Sequence, residues 1–224
     1  RIEKQQFAHV LEGFMGFAQA IGVPSSEPQW QLPVSDLDKK AAQRHLEGLS
    51  KVVVIAPAAS GPERNWLPAR YAEVARHAHN QGFSIVLTGG PTALEQRLAS
   101  DIMQHIDFPV LNLVAKTSLK QLLCVLEQAL LVIAPDTGPA HMAVTVGTPV
   151  IGLYAHSNPA RTGPYLYQDY IVEVYHQNLQ HQYGKPAAQL PWGRRVKGNQ
   201  LMAQITTEAV IAMFERVVAE QKLI

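Results

Sequence analysis

Residues 51–90 read KVVVIAPAASGPERNWLPARYAEVARHAHNQGFSIVLTGG, and the fold class turns on this stretch. It opens on Val52-Val53-Val54-Ile55-Ala56, apolar on successive residues, and runs through a loop rich in Ala, Pro and Gly. Helical spacing follows from Pro68 to Gln81, then a second apolar run, Phe83-Ser84-Ile85-Val86-Leu87-Thr88. Strands apolar on successive residues are buried on both faces, and a helical crossover between two of them makes them parallel. The alternation continues with a helix near Thr92 to His105, the run Val110-Leu111-Asn112-Leu113 and a helix near Ser118 to Ala129. Leu130-Leu131-Val132-Ile133-Ala134, a short helix near Pro139 to Val146 and the strand Val150-Ile151-Gly152-Leu153-Tyr154 complete the series. The fold class is α/β, a doubly wound parallel sheet with helices on each side.

Residues 1–49 read as a helical lead-in to this domain. Phe7, Val10, Leu11, Phe14, Phe17, Ala18 and Ile21 recur at helical spacing, and Gly22 and Pro24 stop them. Three prolines then separate this helix from a second one, capped by Ser35 and expected over Asp36 to Leu49. The main domain is assigned to residues 50–205. Its last part, from residue 155, is rich in Pro, Gly, Gln and His and holds one more expected strand, Tyr170-Ile171-Val172-Glu173-Val174-Tyr175. Residues 206–224 form a C-terminal helix with Val210, Ile211, Phe214, Val217 and Val218 on one face.

Composition narrows the function. Apolar residues make up 47% of the 224 and charged residues 17%, which excludes an acidic disordered chain and a coiled coil. Nineteen Lys and Arg against eighteen Asp and Glu leave a formal charge of +1, so no broad basic field recruits nucleic acid. The single cysteine, Cys124, excludes a disulfide framework and a multi-cysteine metal site and is compatible with a reducing compartment. No apolar run reaches the roughly 18–20 residues that cross a bilayer. The chain starts at Arg1 without Met or a signal segment and is expected to be a piece of a longer protein.

Ligands of open parallel sheets bind outside the carboxyl ends of the strands, and three loops there carry chemistry. In the first, Ala58 to Gly61 are small enough for backbone N–H groups to approach an oxyanion, and Arg64 offers a planar donor fork; a plain turn with a solvated Arg is the alternative. In the second, Thr88-Gly89-Gly90-Pro91-Thr92, Glu95 either accepts ribose hydroxyl protons or favours the helix dipole. Neither G-x-G-x-x-G nor a Walker A sequence is present. The third, Asp136-Thr137-Gly138-Pro139-Ala140-His141-Met142-Ala143, combines an open turn with Pro in the first helical turn, which makes the helix start an anion site. Thr137 and His141 can donate to a phosphate. Asp136 would repel one, and is expected to accept from sugar hydroxyls or from the helix-start N–H groups. A capped helix with an incidental histidine is the alternative. No metal ligand set is visible.

Ser60-Gly61-Pro62-Glu63-Arg64-Asn65-Trp66, Thr88-Gly89-Gly90-Pro91, Lys116-Thr117-Ser118-Leu119, Asp136 to Ala143 and Gly147-Thr148-Pro149-Val150 together resemble glycosyltransferase family 9, the ADP-heptose:lipopolysaccharide heptosyltransferases. The resemblance covers residues 50–165, and D-[ST]-G-x-x-H-x-A is its most specific part. Asn158-Pro159-Ala160-Arg161-Thr162-Gly163-Pro164 also looks like the family's loop after the next strand. It implies a GT-B architecture of two Rossmann-like domains, of which this chain is similar to the C-terminal, donor-binding one. Carried over, Ser60 and Arg64 meet the donor phosphates, with Arg64 where lysine is usual. Thr137, Gly138 and His141 hold the pyrophosphate, Asp136 the heptose and Glu95 the ribose. The resemblance puts no catalytic residue in this chain. The base, an aspartate, and the lipopolysaccharide core acceptor site belong to an N-terminal domain preceding Arg1. It implies ADP-heptose as donor, no metal, no nucleic acid, and a cytoplasmic enzyme with peripheral contact at the inner membrane. Another nucleotide-sugar donor, in a transferase or an epimerase, and a non-catalytic nucleotide-binding module are the alternatives.

Overall fold

The computed structural model of the protein describes residues 8–24 and 26–224. Helices α1 (Val10–Ala20) and α2 (Asp36–His45) precede the series β1 (Val52–Ile55), α3 (Pro68–Asn80), β2 (Ser84–Leu87), α4 (Ala93–Met103), β3 (Val110–Asn112), α5 (Leu119–Glu127) and β4 (Leu131–Pro135). There follow α6 (Gly138–Thr145), β5 (Val150–Tyr154), α7 (Pro159–Thr162), β6 (Ile171–Glu173), α8 (Tyr175–Tyr183) and α9 (Thr207–Glu220). The six strands form one parallel sheet in the order β3-β2-β1-β4-β5-β6.

Successive strand residues point to opposite faces, and here they feed two separate cores. Val53, Ile55, Ile85, Leu87, Ile133 and Ile151 pack against α3, α4 and α9. Val52, Val54, Val86, Val132 and Val150 pack against α2, α5 and α6. Apolar runs without alternation are therefore required in the central strands. The edge strands β3 and β6 are only half-buried throughout, because each has a neighbour on one side alone.

Three expectations need correction. The second helix ends at His45, not Leu49, because the chain turns at Gly48 with a φ of +80°. The strand expected over Tyr170 to Tyr175 stops at Glu173, whose carboxylate accepts the His176 N–H at 3.0 Å and starts α8. The apolar stripe of α1 is exposed at Phe14, Phe17 and Ile21. Among the described residues, neither core includes a residue of α1; its first turn holds it instead. His9 Nε2 donates to the Gly163 carbonyl at 2.9 Å, and Trp192 Nε1 donates to the Ala8 carbonyl at 2.7 Å. Phe7, which the periodicity included, lies outside the described residues. Among the described residues no helix is long and apolar enough to cross a membrane.

Candidate functional site

The strand order reverses direction between β1 and β4, so the loops after these two strands diverge and leave a crevice at the carboxyl edge. The first and third loops flank it. They are joined by the Thr137 hydroxyl, which donates to the Ala58 carbonyl at 3.0 Å. That hydroxyl has a single proton, so it can serve a phosphate only by rotating away from Ala58.

The first loop is a shaped turn. Asn65 Oδ1 accepts the Ala59 N–H at 2.7 Å, residues Pro62–Arg64 form one turn of 3-10 helix, and Arg64 donates to Ser60 Oγ. Buried Trp66 anchors the loop by donating from Nε1 to the Ile205 carbonyl at 3.0 Å. Ser60 and Arg64 thus act as a pair, and Asn65, which the sequence reading left without a role, sets the turn that presents them.

In the third loop, Thr137 occupies the N-cap of α6 with extended backbone, and no side chain caps the helix. The partial positive charge of the first turn is left without a side-chain partner. Asp136 does not cap it. Its carboxylate faces the other way, accepting the Ser157 hydroxyl at 2.7 Å on Oδ2; the Thr162 hydroxyl lies 3.4 Å from the same oxygen and 3.3 Å from the Asn158 carbonyl, which share its one proton, and His141 Nε2 is 3.7 Å from Oδ1. Burial of the Asp136 carboxyl works to raise its pKa. The His141 ring, the Ser157 hydroxyl and the Arg64 charge outweigh it and hold the group below the ordinary carboxylate range. Asp136 is therefore an ionised carboxylate, largely shielded from water, with a half-exposed imidazole beside it.

Ser157 and Thr162 had no assigned role in the sequence reading. The parallel register Pro135↔Leu153 sets the loop after β5 beside the loop after β4, and no local pattern announces that pairing. Within that loop the Asn158 side chain accepts the Ala160 N–H at 3.1 Å and caps the short helix α7.

The second loop lies one strand further from the crevice, after β2. The Glu95 carboxylate folds back over it, accepting the Gly90 N–H at 2.8 Å and the Thr92 hydroxyl at 2.6 Å, while Thr92 accepts the Glu95 N–H. In this arrangement Glu95 fastens the start of α4. The structure thus gathers Ser60, Arg64, Asp136, Thr137, Gly138 and His141 around the β1/β4 crevice and leaves Glu95 to one side. Among the described residues, no group of three or more His, Cys, Asp or Glu side chains converges as a metal site.

The family model described as "Glycosyltransferase family 9 (heptosyltransferase)" matches residues 1–192. The lipopolysaccharide core heptosyltransferase OpsX of Haemophilus influenzae is 43% identical over 96% of this chain, which spans 62% of that relative. Among solved structures, a glycosyl transferase family 9 protein of Veillonella parvula superposes with a TM-score of 0.80 at 20% identity, over 98% of this chain and 62% of that one. The heptosyltransferase WaaC of Escherichia coli with ADP gives 0.63 at 22% identity, over 97% and 58%. At these identities the structural matches speak for the fold.

Proposed function

The chain belongs to glycosyltransferase family 9, and on that premise we propose that it is the donor-binding part of an inverting heptosyltransferase of lipopolysaccharide inner-core synthesis. The donor on this reading is ADP-heptose. One observation carries it: the uncapped start of α6, Arg64 and His141 surround one crevice with a carboxylate that is already ionised. The names of the relatives, a core heptosyltransferase and a heptosyltransferase with bound ADP, point the same way.

In this mechanism the donor diphosphate lies against the first turn of α6, where backbone N–H groups and the helix dipole meet its oxygens. Arg64 and His141 add charge-assisted hydrogen bonds. Asp136, steadied by Ser157 and Thr162, accepts hydroxyl protons from the heptose. Glu95 turns from Gly90 and Thr92 to the ribose. An aspartate of the N-terminal domain deprotonates the acceptor hydroxyl as it attacks the anomeric carbon, and the bond to ADP breaks. The groups of this chain stabilise the charge that develops on the departing diphosphate. The helix start, the Arg64 guanidinium and a ring N–H of His141 do this without a metal. The N-terminal domain takes the lipopolysaccharide core acceptor, and because that acceptor is lipid-anchored the enzyme works in the cytoplasm with peripheral contact at the inner membrane.

Calorimetry with ADP and UDP, with and without EDTA, tests the reading. ADP should bind more tightly than UDP, and EDTA should leave its affinity unchanged. Equal affinities, or binding that requires Mg²⁺, would overturn it.

A further inference from the structure

The mechanism above makes no use of His156, which is only 6% exposed and lies just beyond β5. Its Nδ1 is 3.1 Å from the carbonyl oxygen of Val196, and its Nε2 is 3.0 Å from that of Glu63. A carbonyl oxygen only accepts. A neutral imidazole carries one N–H, so either tautomer would set a ring lone pair against a carbonyl lone pair. A ring protonated on both nitrogens donates to both.

The two carbonyls belong to different parts of the fold. Val196 is buried in the core, and its own N–H donates to the His156 carbonyl at 3.0 Å, so His156 and Val196 are tied twice. Glu63 sits in the 3-10 turn Pro62–Arg64, which Arg64 ends. Within that turn the Arg64 N–H donates to the Gly61 carbonyl at 3.0 Å and the Asn65 N–H to the Pro62 carbonyl at 3.1 Å. Such a short turn moves as a unit, so gripping the Glu63 carbonyl fixes where Arg64 begins. The ring also lines a small cavity with Arg64, Asp136, Tyr154 and Ser157. Asp136 is the carboxylate of that cavity, and the Tyr154 phenol stays neutral because burial and the Asp136 charge push its pKa up.

We infer that His156 is a doubly donating, cationic histidine that holds the 3-10 turn to the core and thereby positions the Arg64 guanidinium for the donor diphosphate. It is a positioning residue, acting through Arg64, and this function rests on the donor reading above.

The test has two arms. Nitrogen-15 NMR of histidine-labelled, ligand-free protein at neutral pH should show both ring nitrogens of His156 bearing protons, the resonance being assigned by its loss in His156→Gln. This arm needs no nucleotide. A single protonated nitrogen would overturn the cationic assignment. In the second arm, ADP affinity is measured for His156→Gln, His156→Phe, Arg64→Ala and the double variants. With Arg64 present, losing the tie should weaken ADP by roughly two- to tenfold, the range of one hydrogen bond. In the Arg64→Ala background the same change should cost nothing more. An equal loss in both backgrounds, or no loss in either, would overturn the positioning role. Wild-type protein that fails to bind ADP would overturn the donor reading and this role with it, while the NMR arm still decides the state of the ring.

Discussion

Asp136 is the residue on which sequence and surroundings meet. A carboxyl withdrawn from water stays ionised only if donors and charges replace the water, and His141, Ser157 and Arg64 do so. A depressed folded pKa adds stability that is present above the unfolded value and lost as pH falls through the folded one. Wild-type stability should therefore drop as pH falls below about 3.9, the ordinary aspartate value. Asp136→Asn should flatten that acid limb, as urea titrations at successive pH values would reveal. If the carboxylate also reads the sugar, Asp136→Asn keeps wild-type affinity for ADP while ADP-heptose loses its advantage over ADP. A parallel loss for both ligands would put Asp136 at the diphosphate instead. Arg64→Ala and His141→Ala should each weaken ADP by about 1.5–3 kcal/mol, the worth of a hydrogen bond to a charged group. Arg64 is partly exposed, so the ligand-free melting temperature of Arg64→Ala should scarcely move, whereas His141→Ala, which takes a donor from Asp136, should lower it modestly. Unchanged ADP binding in both variants would mean that the diphosphate lies elsewhere. The cluster Asp136, Thr137, Gly138 and His141 was legible because its members are neighbours in the chain. Ser157 and Thr162 were not, because a separate loop supplies them.

At the scale of elements, α1 and the loop after β5 depend on each other. His9 caps α1 by accepting the Leu11 N–H on Nδ1 at 3.2 Å, and its other nitrogen donates to Gly163. Burial lowers its pKa against the raising effect of the Gly163 hydrogen bond, so the ring is held neutral. The sign is again that of a depressed pKa: the stability is present above about 6.5 and lost as pH falls. The hydrogen-exchange protection factors of the α1 amides, referred to the intrinsic exchange rate at each pH, should therefore fall on acidification below that value. His9→Asn, which caps with an amide oxygen in place of the ring nitrogen and does not titrate, should give protection that does not change with pH. Gly163 itself has ordinary backbone angles but no room: a Cβ would meet the Pro159 carbonyl oxygen at 2.5 Å and Ile171 Cδ1 at 2.7 Å. Gly163→Ala should cost about 1–3 kcal/mol by overpacking. It should also loosen α1, and a variant as stable as wild type would show that the loop yields freely. Helix starts were the most legible elements. Ser35 with Asp38, and Ser118 with Gln121, form capping boxes written in four consecutive residues. The helix α8 was missed because Tyr170 to Tyr175 alternates like a strand; what turns it is Glu173 capping His176 and the Tyr175 hydroxyl reaching Arg194 at 2.7 Å.

For the whole molecule, two cores bind the helices to the two faces of the sheet. Phe214 of α9 is fully buried and stacks edge-on against Phe83 with ring centroids 5.4 Å apart. Phe214→Ala should cost about 3–5 kcal/mol and lower the melting temperature without changing how ADP affinity depends on Arg64. On the donor reading, the purified chain alone should bind ADP-heptose yet transfer no heptose, and turnover onto a heptose-free core acceptor would refute the division of labour between domains. By itself the sequence determined the α/β class, the parallel sheet and the two loops that flank the crevice at its carboxyl edge. Apolar runs, caps and turn residues act between near neighbours, and their physics is complete within a few positions. Only the tertiary structure decided what shares the crevice. Asp136 meets Ser157 across 21 residues, and His156 reaches Val196 across 40 and Glu63 across 93. Such contacts follow from strand order and register, which place β4 between β1 and β5. That order is settled by how all six strands and both layers of helices pack at once, so no stretch of the chain carries it alone.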